Sequence, residues 1–427
     1  MADTPKRDPY AALRFYNFRL LIVGRFAGQI GEAMISVAVG WELYNRTGDP
    51  FALGLVGLVQ VIPVILLSLI GGYVADTWDR RKITLYSQLL LVLCTVGLLG
   101  VSLTNGSLVV LYGLLTLIGI GRAFNNPAEG ALTPQTVPAE FYYSAATFNS
   151  MVWQLSAILG PAAAGILIAI TGGAPAVYIV NIITGMLFVV TLMMLTIKPH
   201  KGSESAPEPP LQSLKEGINF VRNNSTILAS ITLDMFAVLF GGAIALLPVY
   251  AQDILKVDAA GLGILRAAPS IGALLMATYL SRRGSFRNAG KVLLWAVAGF
   301  GIATIVFGLS TSFWLSVLML AMTGALDNIS VVIRSLLIYT FTPDRMRGRV
   351  NSVNMIFIGA SNELGGFESG VAAALLGTVG SVVFGGIGTI VVVGLVALLS
   401  PELRHMDKIQ AKEEPKLDEL VVEGRAA

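Results

Sequence analysis

The sequence predicts an all-α membrane protein with twelve transmembrane helices, on the strength of its composition and its long apolar segments. Hydrophobic residues make up 55% of the 427 residues, and charged residues make up 13%. A soluble domain carries about 25% charged residues, so lipid must replace water around most of this chain. A bilayer core of about 30 Å needs roughly 20 apolar residues in a helix. Twelve segments satisfy this length, near residues 18–44, 51–75, 83–104, 107–131, 142–170, 174–197, 226–252, 258–281, 289–310, 312–339, 348–376 and 379–399.

One long polar interruption divides these spans into two groups of six. It runs from Lys198 to Ser225 and contains Pro207, Glu208, Pro209 and Pro210. After Pro401 the chain becomes rich in charged residues. We therefore predict an N-terminal six-helix bundle over 1–197, a cytoplasmic linker over 198–225, a C-terminal six-helix bundle over 226–400 and a cytoplasmic tail over 401–427.

The two groups of spans also resemble each other in sequence. Four residues of the first group recur 205 positions later in the second: Pro138, Asn149, Gly160 and Gly165 match Pro343, Asn354, Gly365 and Gly370. Each set runs from the end of an even-numbered span into the next odd-numbered one. Because the repeated unit has an even number of spans, an axis along the membrane normal should relate the two halves.

The distribution of lysine and arginine predicts the orientation in the membrane. If the N-terminus is cytoplasmic, 23 of the 29 basic residues fall on the cytoplasmic side, two on the opposite side and four within spans. Cytoplasmic loops of membrane proteins carry such an excess, so both termini should lie inside the cell. Residues 1–19 contain no short apolar core with a cleavage site, so we expect no signal peptide.

Several classes of chemistry have no support in the sequence. No G-x-x-x-x-G-K-[ST] loop and no H-E-x-x-H motif occurs, so we predict neither ATP-driven pumping nor an enzyme. Cys94 is the only cysteine, which excludes disulfides and cysteine-based metal sites. A net charge of +3 is too small to indicate nucleic acid as a partner. We expect no cofactor and no metal.

Polar residues inside the spans indicate a cavity within the bundle. A charged group at bilayer depth costs about 2.5–3.5 kcal/mol on insertion scales, so it should face the interior and be paired. In span 1 such residues recur at spacings of four, three and four, on one helix face: Arg25, Gln29, Glu32 and Ser36. Glu32 lies near the middle of the span and is our first candidate for binding a proton or contacting a cation. The alternative is a structural ion pair.

Other spans add charges of both signs to this cavity. The candidates are Arg122, Asn126 and Glu129 in span 4, Asp234 in span 7, Arg266 in span 8, Asp327 and Arg334 in span 10, and Glu363 and Glu368 in span 11. A cavity that holds both signs suits an amphipathic or cationic organic molecule better than a simple sugar. Trp41, Trp153, Phe236 and Phe240 either add stacking surface or pack at helix and lipid interfaces.

A charged hairpin between spans 2 and 3 carries a resemblance to a known family. It contains, in order, Gly72, Asp76, Asp79, Arg80 and Arg81. A glycine, an acid and then a basic cluster at this spacing resemble the best-known motif of the major facilitator superfamily. Thr77 stands where that motif usually has a basic residue, and Asp79 stands where it usually has a glycine.

The hairpin ends in Asp-Arg-Arg-Lys, which resembles the branch that includes bacterial enterobactin exporters and macrolide efflux proteins. Four other passages are similar to this branch: Phe18–Leu21, Asn126–Ala128, Arg347–Ser352 and Ser400–Arg404. The resemblance covers nearly the whole chain. It implies two six-helix bundles, secondary transport without a cofactor, a bacterial inner membrane, a small-molecule substrate and a monomer.

The resemblance also implies roles for particular residues. In the superfamily, the acid that matches Asp76 meets the start of span 11, where this chain has Arg347, Gly348 and Arg349. This contact would be a latch that forms in the outward-open state, unless the hairpin cations serve only to hold the loop in the cytoplasm. Arg122 is placed like an arginine thought to assist proton transfer in drug exporters; the alternative is structural pairing, with Glu129 as one partner.

Span 5 resembles part of the antiporter motif of drug:proton exchangers. The matching residues are Gly160, Pro161 and Gly165, with Ser156 in place of the leading glycine. They serve either coupling or plain helix packing. The sequence thus predicts an exporter of hydrophobic or amphipathic molecules driven by proton antiport. The alternatives are an exporter of one native compound such as a siderophore, and a membrane sensor or scaffold that does not transport.

Overall fold

The computed structural model describes residues 10–197, 210–282, 286 and 288–406, and within them every regular element is a helix. We number the long helices α1 (Tyr16–Thr47), α2 (Pro50–Thr77), α3 (Arg80–Thr104), α4 (Leu108–Gly130), α5 (Tyr142–Thr171), α6 (Pro175–Met194), α7 (Ser225–Phe240), α8 (Ala259–Arg282), α9 (Ala289–Leu309), α10 (Phe313–Phe341), α11 (Asp344–Leu376) and α12 (Thr378–Leu399). Short helical turns cover Ala11–Arg14, Thr133–Thr136, Ala139–Phe141 and Pro401–Arg404.

Eleven of the described helices are long and apolar enough to cross a membrane. The exception among the twelve predicted spans is α11, which has 33 residues but carries asparagines and two glutamates along its length. These polar side chains lower its mean hydropathy, although a helix of this length can reach across a bilayer. The fold class is therefore confirmed, while the count of twelve spans stays a prediction.

The helices pack in the same pattern in both halves of the chain. In the first half, α1 contacts α5 and α6, α2 contacts α4, and α3 contacts α4 and α6. In the second half, α7 contacts α11 and α12, α8 contacts α10, and α9 contacts α10 and α12. Adding six to each helix number in the first set gives the second set. The packing therefore supports the internal repeat that the sequence predicts.

Helix α7 ends earlier than the predicted span. It stops at Phe240 and continues as 3₁₀, α and π turns from Gly242 to Ile254. A Cβ atom added at Gly242 would lie 2.2 Å from the carbonyl oxygen of Gly365, so the break lies where α7 meets the backbone of α11. Irregular backbone at membrane depth is tolerated where it lines a cavity or is covered by protein. Hydropathy alone could not show this break because the segment is apolar throughout.

The predicted linker contains a helix that the sequence analysis missed. The linker helix, Pro210–Asn223, packs against the first part of α11. Leu214, Phe220 and Val221 belong to an apolar cluster with residues of α7, α10 and α11. Arg349 of α11 pairs with Glu216 of the linker helix. The described part of the linker is thus attached to the second half, and residues 198–209 of the predicted linker lie outside the described residues, as does the predicted tail from 407 onward.

The two halves meet closely at two helix crossings, which we call the glycine crossings. Helix α2 crosses α11 where a Cβ atom on Gly370 would lie 2.7 Å from Cα of Gly54. Helix α5 crosses α8 where a Cβ atom on Gly165 would lie 2.8 Å from Cα of Gly263. Only glycine lets two backbones approach so closely. The two crossings are related by the same shift of six helices as the packing within the halves.

The glycine crossings lie at the end that we predict to face away from the cytoplasm. Tyr44 of α1 donates a hydrogen bond there to Asp253, which follows α7, and so joins the halves. Toward the other end, Cβ atoms on Gly72 of α2 and on Gly359 and Gly348 of α11 would meet nothing within 4 Å. The halves therefore close at the crossings and diverge toward the hairpin.

Candidate functional site

A cavity of about 380 Å³ lies between the two halves. Helices α1, α2 and α4 of the first half and α8, α9, α10 and α11 of the second contribute to its wall, together with the break after α7 at Gly241–Ala245. Most of the wall is apolar, with a few polar groups spread over both halves. Ligand sites of transporters lie at such an interface and use interrupted helices. This central cavity is therefore the candidate site.

Four charged side chains line the central cavity: Arg122, Arg266, Asp327 and Glu363. Asp327 and Glu363 have no ion pair or hydrogen bond within the described part of the chain. Glu363 interacts electrostatically with both Arg122 and Arg266. The structure thus brings together two of the predicted acids from the second half and Arg122 from the first, as a cavity of mixed sign requires.

Glu32 and Arg122 form an ion pair at the edge of this cavity. Arg122 Nε lies 2.6 Å from Glu32 Oε1, and Arg122 Nη1 donates to Gln60 Oε1 at 2.6 Å. The Glu32 side chain remains 44% exposed, so water can reach its carboxylate. Arg122 therefore pairs with Glu32 and not with Glu129, the partner that we considered from the sequence.

Arg25 and Glu129 form a second, more enclosed network inside the first half. Arg25 Nε lies 2.6 Å from Glu129 Oε1, and Arg25 Nη1 donates to Asn149 Oδ1 at 2.7 Å. Asn125 donates to the other carboxylate oxygen of Glu129 at 2.9 Å. A small cavity of about 40 Å³ lies beside both networks and is lined by Gln29, Glu32, Arg122 and Glu129, among others. The predicted face of α1 therefore contacts two separate ion pairs.

Three further predicted site residues lie away from the central cavity, in addition to Arg25 and Glu129. Asp234 forms a buried ion pair with Arg334, and their side chains are 7% and 4% exposed. Asn126 is exposed on α4, and Glu368 lies nearer the glycine crossings, where it accepts a hydrogen bond from Ser369 at 3.4 Å. The prediction that these three residues line the same cavity as Glu363 is therefore not supported by their positions.

The hairpin binds its own half in this conformation. Asp76 pairs with Arg80 at 3.3 Å, and Asp79 caps α3 by accepting from the backbone N–H groups of Arg81 and Lys82. Arg80 donates to the carbonyl oxygen of Ala131, beyond α4. Arg81 donates to the carbonyl oxygens of Leu192 and Met193, in the last turn of α6, at 2.7 and 2.5 Å. The hairpin cations thus satisfy carbonyl groups at helix C-termini, in addition to any effect on topology.

The other predicted motifs form ion pairs or contacts between helices. At the start of α11, Arg347 pairs with Asp344, and Arg349 pairs with Glu216. In α5, a Cβ atom on Gly160 would lie 2.6 Å from the side chain of Ala33 in α1. Gly165 forms a glycine crossing, as described above. The structure therefore assigns a packing contact to each of these glycines.

Arg266 is a candidate from the sequence whose contact across the interface the sequence did not indicate. It lies in the wall, and its Nη1 donates to Ser36 Oγ at 2.9 Å across the interface between the halves. Its signal in the sequence was a cation inside a span whose own helix offers no acid at a spacing of three or four.

Among the described residues, no group of three metal-ligating side chains occurs.

Relatives of known sequence agree with this architecture. A family model described as a transmembrane secretion effector matches residues 7–426. The enterobactin exporter EntS of Escherichia coli (strain K12) is 26% identical over 392 residues, which cover 91% of this chain and 92% of that exporter. The enterobactin exporter EntS of Citrobacter koseri shows the same identity and coverage.

Solved structures with low sequence identity share the fold. A POT family transporter in complex with 5-aminolevulinic acid superposes with a TM-score of 0.72 at 14% identity, covering 91% of this chain and 97% of that chain. A bacterial homologue of the human lysosomal transporter Spinster, in an inward-facing and unoccupied conformation, superposes with a TM-score of 0.69 at 15% identity, covering 91% and 96%. With the family model spanning nearly the whole chain, the chain belongs to the transmembrane secretion effectors of the major facilitator superfamily.

Proposed function

We propose that this transporter exports hydrophobic or amphipathic small molecules across the bacterial inner membrane by alternating access, with protons as the coupling ion. The central cavity carries the proposal, because both halves contribute to its wall and it ends at the glycine crossings. Rocking of the halves would open the crossings and close the hairpin end around a bound molecule. The apolar wall suits the hydrocarbon part of such a molecule, and the charged groups suit its polar part.

Glu32 is the proposed proton-binding group, with Asp327 and Glu363 as further acids of the cavity. The carboxylate of Glu32 is accessible and is held by an arginine of a different helix, α4. Opening of this pair would leave a carboxylate that can take up a proton. Arg122 would then bind Gln60 alone, which keeps the guanidinium hydrogen-bonded through the change.

Two experiments test transport and coupling separately. The first measures accumulation and susceptibility in an efflux-deficient host that expresses the transporter, across a panel of drugs. We expect lower accumulation of at least one amphipathic compound. The second imposes a pH gradient on proteoliposomes and measures proton flux when that compound is added. Absence of compound-dependent proton flux in the presence of transport would reject proton coupling and retain export.

A second candidate function is export of one native compound, such as a siderophore. The two relatives named above favour it, since each is an enterobactin exporter. Including siderophores in the accumulation panel separates the candidates: one exported siderophore with no exported drug supports the narrow exporter. A flat result for all compounds would instead favour a membrane sensor or scaffold.

A further inference from the structure

Arg266 differs from the other arginines inside the spans. Each of the other three forms an ion pair with a carboxylate: Arg25 with Glu129, Arg122 with Glu32 and Arg334 with Asp234. Arg266 has no carboxylate within ion-pair distance among the described residues, and its single hydrogen bond there goes to the neutral hydroxyl of Ser36. Its Nε atom is buried and has no acceptor.

This unpaired charge cannot be removed by losing a proton. A buried carboxyl group without a partner can take up a proton and become neutral, whereas a guanidinium stays charged in proteins. Asp327 can therefore avoid the cost of its isolated position, but Arg266 cannot. A persistent cation in a cavity wall with no carboxylate partner is well placed to bind an anionic acceptor that enters the cavity.

Neighbouring groups leave this requirement unmet. Glu363 interacts electrostatically with both Arg266 and Arg122, so one carboxylate serves two guanidinium groups without contacting Arg266 directly. On the facing helix α1, one turn beyond Ser36, a Cβ atom added at Gly40 would lie 3.7 Å from Arg266 Nη2. The absence of a side chain at Gly40 keeps this side of the guanidinium clear.

We propose that Arg266 is the anion-recognition residue of the central cavity, and that molecules bound there carry a carboxylate or a similar anionic oxygen group. Arginine presents a planar set of donors that matches such groups. The inference rests on the proposed function only in taking the central cavity as the transport site. It adds a substrate class, amphipathic organic anions, to that function.

The first test measures binding by thermal unfolding of the purified full-length protein in detergent. The probes are 2-naphthoate and biphenyl-4-carboxylate, their primary amides and the corresponding aminomethyl compounds. We expect the carboxylates to raise the Tm of the wild type and the amides and amines to have little effect. In Arg266→Gln the affinity for the carboxylates should fall about 10–100-fold, as for loss of a charged hydrogen bond.

Matched variants separate recognition from folding. Arg282→Gln changes an exposed arginine at the end of the same helix and should leave the carboxylate response unchanged. Arg266→Lys keeps the charge but loses the planar donors, so the carboxylates should raise its Tm less than that of the wild type. This variant still tests the proposal if Arg266→Gln does not fold. The Tm of unliganded Arg266→Gln should equal or exceed that of the wild type, because an unpaired cation has been removed.

Three results would overturn the proposal: no carboxylate shifts the wild type at millimolar concentration, the amides act as strongly as the carboxylates, or the carboxylate response survives in Arg266→Gln and Arg266→Lys alike. Accumulation of the same probes in the efflux-deficient host then separates the two proposals. Carboxylates that bind through Arg266 without being exported would contradict the export function and retain the anion site. Export of other compounds without carboxylate binding would contradict the anion site and retain the export function.

Discussion

At the scale of single residues, the surroundings of each intramembrane charge decide what that charge can do. Arg25 contacts Glu129 and Asn149 and is buried, so it ties α1 to α4 and α5. Arg122 contacts Glu32, whose side chain remains accessible, so its pair can open. Each pair joins an arginine to a glutamate between α1 and α4. The accessibility of the partner carboxylate distinguishes a structural pair from a candidate for coupling.

Replacement of Glu32 by glutamine tests this distinction. Glu32→Gln keeps a polar side chain beside Arg122 but removes the group that can exchange a proton. We expect substrate-dependent proton flux in proteoliposomes to be lost while the protein still folds and binds its substrate. Glu140→Gln, at an exposed acid outside the cavity, is the control and should keep the flux. Intact coupled transport in Glu32→Gln would reject the assignment.

The buried pair of Asp234 and Arg334 should instead govern stability. Asp234→Asn leaves Arg334 charged and unpaired where its side chain is 4% exposed. Breaking a buried ion pair costs about 3–5 kcal/mol, so we expect a large fall in Tm. The side chain of Asp344, which pairs with Arg347, is 87% exposed. Asp344→Asn should therefore cost about 1 kcal/mol or less. Equal effects on Tm in the two variants would contradict this prediction.

At the scale of helices, the glycine crossings determine how tightly one end of the molecule closes. Gly165→Ala would place a Cβ atom 2.4 Å from the carbonyl oxygen of Ala259, which forces α5 and α8 apart. Overpacking of this kind costs about 1–3 kcal/mol, and here it falls on the closed state alone. The variant should therefore spend more time open at the crossings.

Thiol labelling measures this change in population. A cysteine introduced at Asn362 lines the central cavity, and the native Cys94 is buried and should react slowly. We expect an impermeant reagent, added from the side of the crossings, to label N362C faster in the Gly165→Ala background. Gly113→Ala is the control, since a Cβ atom there meets nothing within 4 Å. Equal labelling rates in both backgrounds would show that the crossing does not limit access.

The hairpin should act at the opposite end. Asp76 is 66% exposed and pairs only loosely with Arg80 here, so it remains available to contact the start of α11 when that end closes. Asp76→Asn should slow turnover more than it weakens substrate binding, measured as kcat and Kd in the same proteoliposomes. Glu140→Gln, at an exposed acid away from the start of α11, is the control and should keep the turnover. Unchanged turnover in Asp76→Asn would leave the hairpin as a topological anchor.

At the scale of the whole molecule, the architecture was largely predictable because bilayer thickness fixes the length of each apolar segment. Span 5, predicted near 142–170, is the helix Tyr142–Thr171. The ion pairs were not predictable in the same way, because Arg25 and Glu129 are 104 residues apart and Arg122 and Glu32 are 90 apart. Both arginines had several acids within reach by sequence, and only the packing of α1 against its neighbours selects between them.

The linker helix and the break in α7 had signals in the sequence that a hydropathy profile does not include. The linker helix follows from leucine, isoleucine and valine spaced by three and four at Leu211, Leu214, Ile218 and Val221. The break in α7 follows from Gly241, Gly242 and Pro248, residues that are common at irregular backbone. Arg266 needed the structure, because its importance lies in the carboxylate that it lacks.

The two glycine crossings give the contact between the halves the symmetry of an isologous dimer interface, in which both partners use the same surface. One half contributes α2 and α5, the other contributes the corresponding α8 and α11, and each crossing is the counterpart of the other. Closed dimers of identical subunits associate in this way. We therefore expect the two halves to associate even when the linker does not join them covalently. Halves expressed as separate chains, 1–197 and 198–427, should co-purify, and Gly54→Leu in one chain should abolish their association.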